Sequence, residues 1–108
     1  MRILVVCGAG ASSTFVAHRV NRAARAAGLP YSAFAGAQAS LPVDIDAADV
    51  VLVGPHLVAS LDAIRSAAVP RGVAVVPLPD DVFSDTDGTR VLALVRAVAE
   101  PDAPVASS

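Results

Sequence analysis

The chain has 108 residues, 55% of them hydrophobic, and a mean hydropathy of +0.62, which fits one domain with its own core and excludes whole-chain disorder. A formal charge of −2, with eight arginines and no lysine, excludes the strongly basic character of a nucleic-acid-binding domain. There is no apolar run near the ~18–20 residues of a membrane span, no signal-peptide pattern, and one cysteine, which permits neither an intramolecular disulfide nor a zinc cluster; a soluble cytoplasmic protein with a reduced thiol is expected.

Ile3–Val6 is a short, continuous apolar run of the kind that forms strands buried on both faces. Cys7 ends it, and the next seven residues, Gly8 to Thr14, are all Gly, Ala, Ser or Thr. From Thr14 to Ala27 a helical period puts Phe15, Val16, Val20, Ala23, Ala24 and Ala27 on one stripe. His18, Arg22 and Arg25 lie on another face, and Gly28 with Pro30 stops the helix. Tyr31–Ala37 is diluted with Ala and Gly and reads as a weak edge strand. Asp44–Asp49 reads as a short acidic turn or helix.

Val50–Val53 is the next buried strand. Gly54-Pro55 opens a helix with the stripe Leu57, Val58, Leu61, Ile64 and Ala68, closed by Pro70. Val73–Val76 is the last strand. Asp87 is placed as N-cap of a final helix carrying Val91, Leu92, Leu94, Val95 and Val98 and ended by Pro101. Residues 1–100 make the domain, and 101–108, rich in Pro, Ala and Ser, are expected to fray.

Strands alternating with helices argue an α/β fold with a parallel sheet and right-handed crossovers. Ligands of such folds bind beyond the carboxyl ends of the strands. Three segments meet there in this reading: the Cys7 loop, the Gly54-Pro55-His56 turn and the Pro77–Asp81 loop.

A lone cysteine is most often a small buried hydrophobe. Cys7 differs because it follows its strand and precedes a loop of small and hydroxyl residues leading into a helix. Such a loop turns backbone N–H groups and the positive end of the helix dipole toward one spot, which favours a thiolate and an anion beside it. Gly8, Ala9, Gly10, Ala11, Ser12, Ser13 and Thr14 are therefore the candidate phosphate-binding residues, with the hydroxyls as added donors.

Other motifs fail on single residues. Gly8 and Gly10 begin a dinucleotide fingerprint, but its third glycine is Ser13 here. There is no Gly-Lys-Ser/Thr and no Cys-x-x-Cys. Cysteine phosphatases place an arginine six residues after the nucleophile; that position is Ser13, and the first arginine after Cys7 is Arg19, well into the helix. The loop can hold phosphate yet lacks the guanidinium that drives hydrolysis. A phosphocysteine formed here should persist long enough to be passed on, which ranks a phosphoryl carrier above a hydrolase, with a regulatory phosphate sensor as a third reading. His56, Asp80 and Asp81 are possible contacts of substrate or partner, although each is also a commonplace solvated residue. Arg19, Arg22 and Arg25 can face an acidic partner or serve only as soluble surface.

Four stretches carry a resemblance to the IIB subunits of the lactose/cellobiose (diacetylchitobiose) group of bacterial sugar phosphotransferase systems. Arg2 to Thr14 resembles that family's cysteine loop, with Ala11 in place of its usual methionine. Ala48-Asp49-Val50-Val51-Leu52-Val53-Gly54-Pro55-His56 is similar to its Ala-Asp-Val-Val-Leu-Leu-Gly-Pro-Gln, with His56 in place of glutamine. Val73–Pro77 resembles its last strand, and Asp87-Gly88 before Val91-Leu92 its closing helix start. The loop from Pro77 to Ser84 is longer and more acidic than the family's.

The resemblance implies a three-layer sandwich with a four-stranded parallel sheet, shared in outline with low-molecular-weight tyrosine phosphatases. It implies a phosphohistidine–sugar phosphotransferase component in which Cys7 takes phosphate from a IIA subunit. The phosphate then passes to a sugar, a β-linked disaccharide, held by the membrane IIC subunit. Neither metal nor cofactor is called for, and IIC would hold the protein at the inner face of the membrane.

Overall fold

Val, Ile and Leu fill both faces of a pleated ribbon, so the apolar runs become strands. The computed structural model describes residues 1–6, 10–36, 41–79 and 88–99, and of residues 10–13, 42, 56, 58 and 99 only the backbone. The strands are β1 (Arg2–Val6), β2 (Ser32–Gly36), β3 (Val50–Val53) and β4 (Ala74–Pro77). All pair in parallel, in the order β2-β1-β3-β4. Val6 is in register with Gly36 on one side and Val53 on the other, and Val53 with Pro77, so the four carboxyl ends form one edge. The helices are α1 (Gly10–Ala26), α2 (Leu41–Asp44), α3 (Leu61–Ala68) and α4 (Thr89–Ala99).

Residue parity on the central strands sorts the core into two layers. Ile3, Val5, Val50 and Leu52 pack under Val16 and Val20 of α1 and Val91 and Val95 of α4. Leu4, Val6, Val51 and Val53 pack on the other face against Leu41, Ile45, Ile64 and Ala68. Ile3–Val6 and Val50–Val53 are wholly buried, as expected for the middle of a three-layer sandwich.

Several local expectations shift. The first helix begins at Gly10, four residues before Thr14. Its first turn has no apolar period to reveal it, and low-propensity Gly and Ser are tolerated where N–H groups lack intrahelical acceptors. Its buried stripe is Val16, Ala17, Val20, Ala23 and Ala24; Phe15 is 61% exposed and Ala27 is exposed as well. Phe15 sits about 100° around the helix from Val16, which carries it off the core face. The helix ends as expected. Gly28 has φ +71, Leu29 N–H donates to the Ala24 carbonyl at 2.9 Å, and Gly28 N–H to that of Arg25 at 3.1 Å, a left-handed cap that suits glycine.

The expected single helix from Gly54 to Pro70 is a 3₁₀ segment at Pro55–Ser60, then α3, then a 3₁₀ turn at Val69–Arg71 that contains Pro70. The last strand starts at Ala74 rather than Val73, because Val73 N–H is committed to the Ala68 carbonyl at 3.1 Å. The expected acidic turn, Asp44–Asp49, starts on the last residue of α2 and continues as a 3₁₀ turn, Ile45–Ala47. In α4, Val91, Leu92 and Val95 are buried, Leu94 is half-buried and Val98 is 39% exposed. An eleven-residue helix, about 16 Å long, outruns a four-residue strand of about 13 Å, so its last turn has no sheet beneath it. Asp87 and residues 101–108 lie outside the described residues.

Both sheet edges are closed chemically. On β2, the Asn21 side chain from α1 accepts from Ala33 N–H at 2.7 Å and donates to the Ala33 carbonyl at 2.9 Å. It stands in for a neighbouring strand. On β4, Ala74 and Leu78 donate inward to Asp49 and Val53 of the β3 chain, so Val75, Pro77 and Pro79 face outward. Two of those three have no N–H to offer a further strand. Asn21→Leu should lower stability by about 1–3 kcal/mol, since it strands both groups of Ala33. Urea unfolding checks this, and a loss under 0.5 kcal/mol on that roughly 1–3 kcal/mol scale would contradict it.

Candidate functional site

The strand order reverses direction at β1: the chain goes from β1 outward to β2, then crosses back to β3 on the other side. Connections leaving neighbouring strands toward opposite faces open a crevice at the carboxyl edge, and this switch point is where such folds bind ligands. β1 ends at that point with Val6, and Cys7 is the next residue in the sequence.

The peptide that delivers Cys7 is anchored. The Val6 carbonyl accepts Gly54 N–H at 2.7 Å. Gly54 is buried and its own carbonyl accepts Leu57 N–H at 3.0 Å, so the turn after β3 is folded back and tied to the end of β1. One strand over, Leu78 N–H donates to the Val53 carbonyl at 2.7 Å, which extends the β3–β4 pairing to the sheet edge. The three segments singled out in the sequence thus leave three adjacent strands at one edge.

From Val6 to Gly10 the chain has four Cα steps, a span of at most about 14 Å. The start of α1 is therefore held close to the end of β1. The first turn of α1 carries no acidic side chain, and its N–H groups have no intrahelical acceptors. Together they present partial positive charge to whatever lies at the switch point. Ser13, where a phosphatase would keep its arginine, is in this first turn. Arg19 is nine residues on from Gly10, about 13 Å along the axis.

Cys7, Gly8, Ala9, Asp80 and Asp81 lie outside the described residues, as do the side chains of Ala11, Ser12, Ser13 and His56. Thr14 is described: it is exposed and engaged in an interaction of its own. His18, Arg22 and Arg25 are exposed on α1, while Arg19 is half-buried with its guanidinium 6.0 Å from the Phe15 ring centroid. Among the described residues no group of three His, Cys, Asp or Glu side chains could hold a metal ion. No helix among them is long and apolar enough to cross a membrane.

Two features escaped the sequence reading. Asp49, part of the Ala48–His56 motif, belongs to the opposite edge. Its carboxylate accepts Arg2 N–H at 2.9 Å, its N–H donates to the Arg2 carbonyl at 2.8 Å, and its carbonyl accepts Ala74 N–H at 3.2 Å. It splices the starts of β1, β3 and β4, so the motif joins a structural aspartate at one end of β3 to the Gly54 turn at the other. The second feature is the exposure of Phe15 next to the site, which a 100° step count could have shown.

The family described as "PTS system, Lactose/Cellobiose specific IIB subunit" matches residues 2–94. No curated protein sequence matches the chain. The lactose-specific IIB component domain of the phosphoenolpyruvate:carbohydrate phosphotransferase system from Streptococcus pneumoniae superposes with a TM-score of 0.80 at 18% identity, over 88% of this chain and 93% of that one. The cellobiose-specific phosphotransferase IIB component protein from Borrelia burgdorferi, a solution structure, gives a TM-score of 0.68 at 28% identity, over 87% of this chain and 86% of that one. With a family match over most of its length and the same four-stranded parallel fold, the chain belongs to the lactose/cellobiose-specific IIB subunits of the sugar phosphotransferase system.

Proposed function

We propose that Cys7 is the phosphoryl-carrying residue of this IIB component. The observation that supports this most is that β1, which Cys7 follows in the sequence, ends at the switch point, with only Gly8 and Ala9 between Cys7 and the start of α1. The Cys7 thiolate attacks the phosphorus of a phosphohistidine on a IIA subunit in line. The S–P bond forms as the P–N bond breaks, and the imidazole leaves neutral after taking up a proton. In the second half-reaction a hydroxyl of a sugar held by the membrane IIC subunit attacks the same phosphorus. The S–P bond breaks, the hydroxyl proton is released, and the thiolate is regenerated.

Backbone N–H groups of residues 8–14, with Ser12, Ser13 and Thr14 hydroxyls, bind the equatorial oxygens. Positioning and electrostatic stabilisation dominate such transfers. His56, Asp80 and Asp81 flank the transfer as contacts of a partner or of the phosphoryl group. IIC brings the protein to the inner face of the membrane, and the sugar is a β-linked disaccharide. The serine at position 13 keeps hydrolysis slow, so this chain releases little inorganic phosphate from an aryl phosphate. Steady phosphate release that is abolished in Cys7→Ser would instead establish a hydrolase.

A further inference from the structure

Helix α1 bears Arg19, Arg22, Arg25 and His18 and no acidic residue, in a chain whose net charge is −2. Its outward surface has a definite arrangement. At about 100° per residue, Phe15, Arg19 and Arg22 fall within an arc of about 60°, turned away from the Val16–Val20–Ala24 stripe. Phe15 is 61% exposed beside the Arg19 guanidinium, and Arg22 is exposed. Alongside them α1 and α4 leave an open groove of about 560 Å³, lined by Arg19, Arg22, Ala26 and Leu92 among others. An exposed aromatic next to guanidinium groups is the composition of an interface anchor. The ridge begins in the second turn of α1, next to the residues that lead from Cys7.

We infer that Phe15, Arg19 and Arg22 form the landing surface for the phosphoryl donor, a soluble protein with an acidic contact face around its phosphohistidine. This rests on the carrier reading above. The donor and the acceptor must both reach Cys7, and their charges differ. The donor arrives with a dianionic phosphoryl group. The acceptor is a membrane protein, and cytoplasmic loops of membrane proteins carry an excess of Lys and Arg. A basic ridge attracts the first and repels the second. Nor does it suit a lipid surface: two arginines fall short of the about four to eight clustered basic residues of an anionic-lipid site.

The test uses the full chain and separates the half-reactions. The donor is the histidine-phosphorylated IIA subunit of a lactose/cellobiose-type system from the same genome. Phe15→Ala/Arg22→Glu should raise the donor KM about tenfold and flatten its salt dependence, with the saturating rate within about twofold. Transfer from the phosphorylated variant to sugar on the membrane subunit should keep its wild-type rate, as should the unfolding midpoint keep its value. Arg22→Lys alone should keep the wild-type KM. An unchanged donor KM in the double variant overturns the inference, and so does an equal slowing of the sugar step. Binding of wild type to phosphatidylglycerol vesicles that is lost in the variant would assign the ridge to lipid instead. If wild-type Cys7 accepts no phosphoryl group from any IIA subunit, the carrier reading falls and takes this surface with it, a result seen before any variant is made.

Discussion

Cys7→Ser should abolish phosphoryl acceptance while the protein stays folded. The reaction needs an anionic nucleophile at neutral pH. A thiol has an unperturbed pKa of about 8.5, so a useful fraction ionises, and the start of a helix increases that fraction. A serine hydroxyl ionises far too little to follow it, and nothing among the described residues at the switch point supplies a base to help. We expect the transfer rate to fall by at least about a thousandfold, equivalent to about 4 kcal/mol of barrier. The change removes no packed apolar group larger than a sulfur atom, so the urea midpoint should stay within the roughly 0.5 kcal/mol typical of benign substitutions. A variant that still turns over at wild-type rate would place the acceptor elsewhere.

The second large effect concerns the fold. Gly88 has φ +76, and its carbonyl accepts Leu92 N–H at 2.9 Å, so it starts α4. A Cβ at Gly88 would stand 2.6 Å from the Arg19 carbonyl carbon and nearer still to its oxygen. The obstacle is helix backbone, which cannot swing aside. Gly88→Ala therefore combines left-handed strain with overpacking, a loss of about 2–4 kcal/mol. Gly28→Ala is the matched control: its φ is +71, yet nothing lies within 4 Å of the added Cβ. It should lose only about 1 kcal/mol, the strain alone. Urea unfolding of the two side by side isolates the clash. Equal losses would mean that α1 and α4 do not approach so closely.

Strands β1 and β3 were legible because their side chains face apolar layers on both sides, and a continuous Val-rich run records that directly. β2 was legible only as a weak edge, since Ala33 needs one apolar neighbour and its outward groups are satisfied by Asn21, a contact twelve residues away in sequence. No local pattern announces such a contact. The start of α1 was missed because Gly10 to Ser13 have no apolar period. Phe15 joins the apolar stripe in the helical period, yet it lies about 100° from Val16 and outside the core face.

The switch point shows the same division. Strand alternation indicated the carboxyl edge where such folds bind ligands, and the order β2-β1-β3-β4 then put the end of β1 at the reversal. The tie from Gly54 to Val6 joins residues 48 positions apart and became visible only in three dimensions. Asp49 and Gly54 read as one motif in the sequence, but they act at opposite ends of β3, one splicing strand starts and the other holding the peptide before Cys7.

The central claim is that phosphate stops on one sulfur. The most direct measurement is mass spectrometry of the intact protein and its peptides after incubation with histidine-phosphorylated IIA, under conditions that preserve thiophosphate esters. The account predicts a gain of one phosphoryl group, carried on the peptide containing Cys7 and lost when sugar and IIC are added. A phosphoryl group on His18 or His56, or none at all on the wild-type chain, would contradict it.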